Sequence, residues 1–206
     1  PNTERQRQQA FEALASDSRL LIQADGQVRI VTAQMLGRLH LEEAADLGEH
    51  PAPARVLLPV AQEPSLLAFS ASGRVALLRW EFAGQQPGSL EKFLPEGLAG
   101  DRLVQVMALP KQPSGSLGLL STDGRFKRLP IEDFLELSGR ATSVLKLRDG
   151  VELRCVVPCD TDRDLVVASS TGRVLRLSVN DADLPLMGRT AQGPVLLRLL
   201  PGETVV

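Results

Sequence analysis

Short apolar runs interrupted by a polar, glycine-bearing turn set the pattern of this chain. Four stretches share it: Leu20-Leu21-Ile22-Gln23-Ala24-Asp25-Gly26-Gln27-Val28-Arg29-Ile30, Leu66-Leu67-Ala68-Phe69-Ser70-Ala71-Ser72-Gly73-Arg74-Val75, Leu117-Gly118-Leu119-Leu120-Ser121-Thr122-Asp123-Gly124-Arg125-Phe126-Lys127-Arg128-Leu129-Pro130 and Leu165-Val166-Val167-Ala168-Ser169-Ser170-Thr171-Gly172-Arg173-Val174-Leu175-Arg176-Leu177. An apolar run, a tight turn whose glycine can take positive φ, and a second run with basic residues read as a β-hairpin. Gly26, Gly73, Gly124 and Gly172 stand 47, 51 and 48 residues apart, a period that belongs to propellers and related arrays.

Two further elements recur. A glycine ahead of another loop and strand follows each hairpin, at Gly37-Arg38, Gly88-Ser89, Gly139-Arg140 and Gly188-Arg189. A third apolar stretch comes next, at Val56-Leu57-Leu58, Leu103-Val104-Gln105-Val106, Leu153-Arg154-Cys155-Val156-Val157 and Thr204-Val205-Val206. Each unit thus holds about four strands, the usual content of a propeller blade. The expected fold is all-β: about four repeated four-stranded blades over residues 18–206, with units near 18–64, 65–115, 116–163 and 164–206. Glu203 to Val206 either pair back with the first unit to close a ring or begin a further blade. Residues 1–17 form a lead-in, where Asn2-Thr3-Glu4 starts a short helix through Gln-, Arg- and Ala-rich sequence. Pro59 suits an edge or a strand end for Val56–Val60. Alternation over Leu77-Leu78-Arg79-Trp80-Glu81-Phe82 puts Arg79 and Glu81 on one face and Trp80, a core residue, with Phe82 on the other.

Composition changes this picture in two ways. The 206 residues are 43% apolar but only 3% aromatic, so Leu and Val must fill the core. A formal net charge of −2 gives no whole-chain basic signal, so contact with nucleic acid requires a local patch. The acidic stretch from Glu42 to Glu49 reads as an exposed loop. No apolar run approaches the roughly 18 residues of a membrane span and no signal peptide opens the chain. A cytoplasmic protein is expected, and the start at Pro1 reads as an excised part of something longer.

Chemistry-bearing motifs add nothing catalytic. Tyrosine is absent, as are a Gly-rich phosphate loop, a nucleophile elbow and an HExxH helix. His40 and His50 read as surface histidines, without a cysteine or second histidine at ligand spacing. Cys155 and Cys159, four apart around Pro158, read as reduced thiols, with Cys155 buried on its strand. No catalytic residue, metal ligand or cofactor is expected.

The stretch from Leu119 to Phe134, with its hairpin, basic pair, Leu129-Pro130 and acidic-apolar tail, resembles the repeat of the C-terminal domain of DNA gyrase and topoisomerase IV A subunits. Gly188-Arg189-Thr190-Ala191-Gln192-Gly193-Pro194-Val195-Leu196-Leu197-Arg198-Leu199, followed by Pro201 to Val206, is similar to the other half of that repeat. The resemblance spans residues 18–206. It implies a β-pinwheel, a propeller-like disc whose basic rim binds and bends DNA for a strand-passing core. It also implies an upstream topoisomerase core carrying the tyrosine nucleophile and, as partner, the ATPase B subunit. Where gyrase A subunits carry a basic Gln-Arg-Arg-Gly-Gly-type box, the loop from Gly37 to Pro53 is acidic here. The sequence therefore looks more like a topoisomerase IV type or a divergent gyrase-like paralogue, which holds DNA without a full wrap.

Arg29, Arg74, Arg125, Lys127, Arg128, Arg140, Arg173, Arg176 and Arg189 are the expected contacts. Repetition would set such cations around one rim to meet phosphates about once per blade, weakly and with little base information. Arg125, Lys127 and Arg128, three cations within four residues, stand out. Alternatively, arginines beside the turns solvate hairpin ends or bond carboxylates of a neighbouring blade. Two other functions compete: a protein-interaction propeller that does not bind DNA, and a propeller enzyme, for which no convergent catalytic set is visible.

Overall fold

A computed structural model describes residues 2–39, 54–62, 64–109, 112–137 and 139–206. His40, His50, the acidic stretch from Glu42 to Glu49 and Pro51 to Pro53 lie outside them. In chain order the elements are α1 (Asn2–Glu12), β1 (Arg19–Gln23), β2 (Gln27–Val31), α2 (Ala33–Leu39), β3 (Ala54–Pro59), β4 (Ser65–Ser70), β5 (Arg74–Leu77), β6 (Gly88–Ser89), β7 (Leu103–Leu109), β8 (Ser116–Ser121), β9 (Phe126–Pro130), β10 (Thr142–Ser143), β11 (Leu153–Pro158), β12 (Asp164–Ala168) and β13 (Val174–Ser178). Short 3-10 turns occupy Trp80–Phe82, Leu90–Phe93 and Ile131–Phe134.

The four glycine turns close four antiparallel hairpins, β1–β2, β4–β5, β8–β9 and β12–β13. They do so identically. Gly26, Gly73, Gly124 and Gly172 have φ of 80°, 77°, 78° and 84°, and each donates its amide at 3.0 Å to the carbonyl three residues back, at Gln23, Ser70, Ser121 and Ser169. A residue with a Cβ is strained at such φ, which is why glycine recurs there.

The sheets grow from these hairpins by one rule. Each hairpin's first strand takes the apolar stretch that follows it, giving the orders β3-β1-β2-β6, β10-β5-β4-β7 and β11-β8-β9. At the fourth hairpin, Val205 bridges Ser169 and the Val206 amide bonds Ala168 O at 3.1 Å. Glu203 to Val206 therefore lie along the fourth hairpin, unlike either expectation for them. The second strand takes a segment from beyond the next hairpin: β6 on β2, β10 on β5, and Val195 bridging Arg125. A four-stranded sheet here is thus not one contiguous stretch of sequence.

Three local expectations need correction. Strand β5 ends at Leu77, and Trp80–Phe82 form a 3-10 turn instead of continuing the alternation. Leaving the sheet lets Trp80, 1% exposed, meet the Phe11 ring at 5.4 Å and donate Nε1 to Pro64 O at 2.9 Å. Gly37 lies in α2, not in a loop before a strand. Thr32 starts that helix by accepting from Met35 N through Oγ1 at 3.4 Å and from Leu36 N through its carbonyl at 3.0 Å. Cys155 is only half-buried on β11, whereas Cys159 is buried; a register shift between Leu153 and Cys155 breaks the alternation and turns Val156 inward instead.

The chain divides into two compact units. The first comprises 1–66, 78–94 and 108–110, where Leu20, Ile22, Val28, Val31, Leu66 and Trp80 are buried. The second comprises 67–77, 95–107 and 111–206. Its interior includes Leu67, Leu119, Leu129 and Val156, and Phe69 meets Phe134 edge-on at 5.9 Å. Burial of each such large side chain contributes about 2–3 kcal/mol. Among the described residues no helix is long and apolar enough to cross a membrane.

Candidate nucleic-acid interface

Counted from the turn glycines, the expected cations are not one matched series. Arg74, Arg125 and Arg173 follow the glycine directly, Arg29 and Lys127 lie three residues after it, and Arg128 and Arg176 four. The three turn arginines reach across to the backbone of a later segment. Arg74 Nη1 donates to Gly97 O at 3.2 Å, Arg125 Nη1 to Gly193 O at 2.9 Å and Arg173 Nη2 to Arg198 O at 2.8 Å. Carboxylates complete the arrangement. Glu203 accepts from Arg173, Ser169 and Thr171, and Asp101 accepts from Ser72. In the third hairpin Asp123, in the turn itself, takes this role beside Ser121 and Arg125. The Arg173 guanidinium and the two hydroxyls hold the Glu203 carboxyl far below the usual carboxylate range. These arginines fasten turns to later loops, mainly through backbone carbonyls and not through carboxylates of a neighbouring blade.

Lys127 and Arg128 are interior residues, 1% and 3% exposed. Lys127 Nζ donates to the carbonyls of Val144, Arg189 and Ala191 at 2.8, 2.7 and 3.0 Å. Burial pushes its pKa down to about 8, against an opposing pull from Asp133. Arg128 donates to Leu184 O at 2.6 Å, Asp181 Oδ1 at 3.0 Å and, through Nε, Ser116 Oγ at 3.1 Å. An ammonium with three carbonyl acceptors has no hydrogen left for a phosphate. Arg128 is closed off from a phosphate by its burial, so the expectation that this pair touches DNA is corrected for both: the cluster of cations signalled a buried clamp instead of a surface patch.

The remaining expected residues diverge. Arg176 is exposed and bonds Asp164, Arg189 is half-buried and bonds Asp133, and Arg29 has its Nε buried without a hydrogen-bond partner among the described residues. Arg140 is exposed and its side chain bonds no other described residue. Lys146, Arg148, Arg163 and Arg198, which the sequence reading passed over, are likewise exposed with unpartnered side chains among the described residues. Aligning the second glycines could not find them. Gly88 lies within β6, whereas Gly139 stands three residues before β10 and Gly188 seven before Val195, so those glycines do not mark a shared register.

A hollow of about 310 Å³ in the first unit is lined by Ala10, Leu14, Ile30, Trp80, Glu81 and Ala83. Its carboxylate, Glu81, pairs with Arg7 at 3.3 Å. Burial pushes both the Cys155 and Cys159 thiols up, away from the reactive thiolate form.

Residues 119–160 and 163–206 match the family described as DNA gyrase C-terminal domain, beta-propeller. The DNA gyrase A subunit of Mycolicibacterium smegmatis is 31% identical over 111 residues, which is 53% of this chain and 13% of that protein. The DNA topoisomerase 4 A subunit of Synechocystis sp. is 34% identical over 106 residues, 47% of this chain and 11% of that one. The chain thus spans little more than a tenth of these relatives. Among solved structures, the C-terminal domain of DNA topoisomerase IV superposes with a TM-score of 0.70 at 15% identity, covering 94% of this chain and 60% of that one. The C-terminal domain of E. coli ParC gives 0.67 at 13% identity, covering 93% and 78%. These structures share the fold: a mostly β, propeller-like array, here of several small sheets.

Proposed function

We propose that the chain, whose residues 119–160 and 163–206 match the DNA gyrase A C-terminal domain family, is a member of that family and binds and bends duplex DNA beside a type IIA topoisomerase core. The family match is the observation that carries this reading. Arg140, exposed and bonding no other described residue, is the contact retained from the sequence-based set, and the association it supports is weak and indifferent to base sequence. Cleavage and resealing belong to an upstream core with its own tyrosine, since this chain has none, and an ATPase subunit completes the cytoplasmic enzyme. Residues 18–206 act as one array, in units near 18–64, 65–115, 116–163 and 164–206.

A labelled duplex titrated at several salt concentrations tests this. The expected result is an affinity that falls linearly, on logarithmic axes, as salt rises; no binding at low salt overturns the reading. Exposed Val166, Val174 and Leu200, 59%, 65% and 54% accessible, favour a second reading as a protein-interaction scaffold, which the same titration would leave standing if DNA failed to bind.

A further inference from the structure

The segments that close the outer edges of successive hairpins share a register. Ser89 pairs with Gln27, Ser143 with Arg74 and Val195 with Arg125, in each case the residue after the turn glycine. The amides that follow bond that glycine's carbonyl. Leu90 N reaches Gly26 O at 2.9 Å, Val144 N and Leu145 N reach Gly73 O at 2.9 and 3.3 Å, and Leu196 N and Leu197 N reach Gly124 O at 2.9 and 3.1 Å. Three residues beyond the paired position stand Lys92, Lys146 and Arg198, a basic residue each time. Lys92 is exposed in the first unit. In the second, Lys146 and Arg198 each follow a buried leucine, Leu145 at 3% and Leu197 at 7% exposure, and are themselves exposed.

We propose that Lys146 and Arg198 contact DNA phosphates, so that the track runs along these edge-closing segments instead of the hairpin strands; this rests on the DNA-binding reading above. Three observations favour these two. They occupy one register position in successive segments, which repetition needs in order to meet a curved duplex at intervals. Their side chains bond no other described residue, so a phosphate meets them without breaking an ion pair, whereas Arg176 and Arg189 would have to release Asp164 and Asp133. Their backbone is also held in place: Leu145 and Leu197 are fastened to the turn glycines, and Arg173 Nη2 grips Arg198 O at 2.8 Å. Arg173 is therefore a positioning residue, and the two exposed cations are the binding groups.

The test compares wild type with Lys146→Gln/Arg198→Gln and with Lys146→Arg/Arg198→Lys, using a fluorescein-labelled duplex between 50 and 200 mM salt and thermal unfolding to verify folding. Two lost phosphate contacts reduce the slope of log affinity against log salt by roughly 1.8. Over that fourfold range wild type then loses roughly 12-fold more affinity than the glutamine variant. The charge-conserving variant keeps the wild-type slope. A folded glutamine variant with an unchanged slope overturns the inference while leaving DNA binding intact. A wild type that does not bind at all overturns the DNA-binding reading itself. Should the glutamine variant fail to fold, Lys146→Met and Arg198→Met measured singly decide, each expected to lower the slope by roughly 0.9.

Discussion

The third and fourth hairpins start from nearly the same sequence pattern and end in different surroundings. Every residue of β8 is buried, as are Phe126 to Leu129 of β9, whereas β12 and β13 have only Val167 buried. Counterparts make the contrast plain. Phe126 and Val174 both lie two residues after the turn glycine, yet are 2% and 65% exposed. Arg128 and Arg176 both lie four after it, yet one has a side chain 3% exposed and the other 75%. The cause is the outer edge. Along β9 the chain returns twice, with Leu186 bridging Arg128 and Val195 bridging Arg125; along the outer edge of β13 no described residue does. Position in a repeat fixes which way a side chain points, but the segment laid over it decides whether that direction is solvent.

If covering is what separates the two, removing cations that hold the cover must cost far more than removing their uncovered counterparts. Lys127→Met strands three carbonyls, at Val144, Arg189 and Ala191, and Arg128→Met strands Leu184 O. Each is expected to lower stability by about 3 kcal/mol, a loss moderated because the desolvation cost of the buried charge is removed with it. Arg176→Met, at an exposed ion pair, should leave the urea midpoint unchanged within error. Near-equal midpoints for Lys127→Met and Arg176→Met would show that the third hairpin is not clamped through its cations.

The turn glycines sharpen the comparison. Gly124 and Gly172 share the same positive φ, so alanine at either is strained by about 1 kcal/mol. A Cβ on Gly124 would also sit 2.0 Å from Leu197 O, whereas one on Gly172 meets nothing within 4 Å. Gly124→Ala is expected to destabilise by about 2 kcal/mol more than Gly172→Ala, since the Leu196–Leu197 segment must shift and loosen its bonds to Gly124 O. Equal losses by chemical denaturation would mean that this segment yields freely.

What could be read from sequence follows the same division between local and distant causes. The hairpins were legible because an apolar run, Gly124 and a second run specify a turn within about a dozen residues. So was α1. The interior placement of Lys127 was not, because its acceptors Arg189 and Ala191 lie 62 and 64 residues downstream, and three clustered cations read more simply as a surface. Lys146 and Arg198 escaped for a related reason. Their shared register appears only once Ser143 and Val195 are seen to pair with Arg74 and Arg125, which no spacing of glycines reveals.

The third prediction separates the ammonium of Lys127 from its mere presence. Its folded pKa of about 8 lies below the ordinary 10.5, so between those values the unfolded chain keeps a proton that the native chain has lost, and stability must rise with pH. The rise is up to roughly 1.4 kcal/mol per pH unit. Below pH 8 both states hold the proton and the group contributes no slope. The raised thiols of Cys155 and Cys159 work the other way, because the native chain holds their protons longest, and other groups titrate in the same range. The measurement is therefore a difference: unfolding free energies of wild type minus Lys127→Met, from pH 7 to 10.5. That difference should be flat to about pH 8 and then grow in favour of wild type, as the neutral amine keeps two hydrogens for carbonyls and sheds the burial penalty of its charge. A difference flat across the whole range would mean that the three carbonyls stabilise the ammonium as well as water does. Leu175, three residues after Gly172, is the counterpart in the fourth hairpin; having no proton to lose, its replacement by Met should give a flat difference throughout.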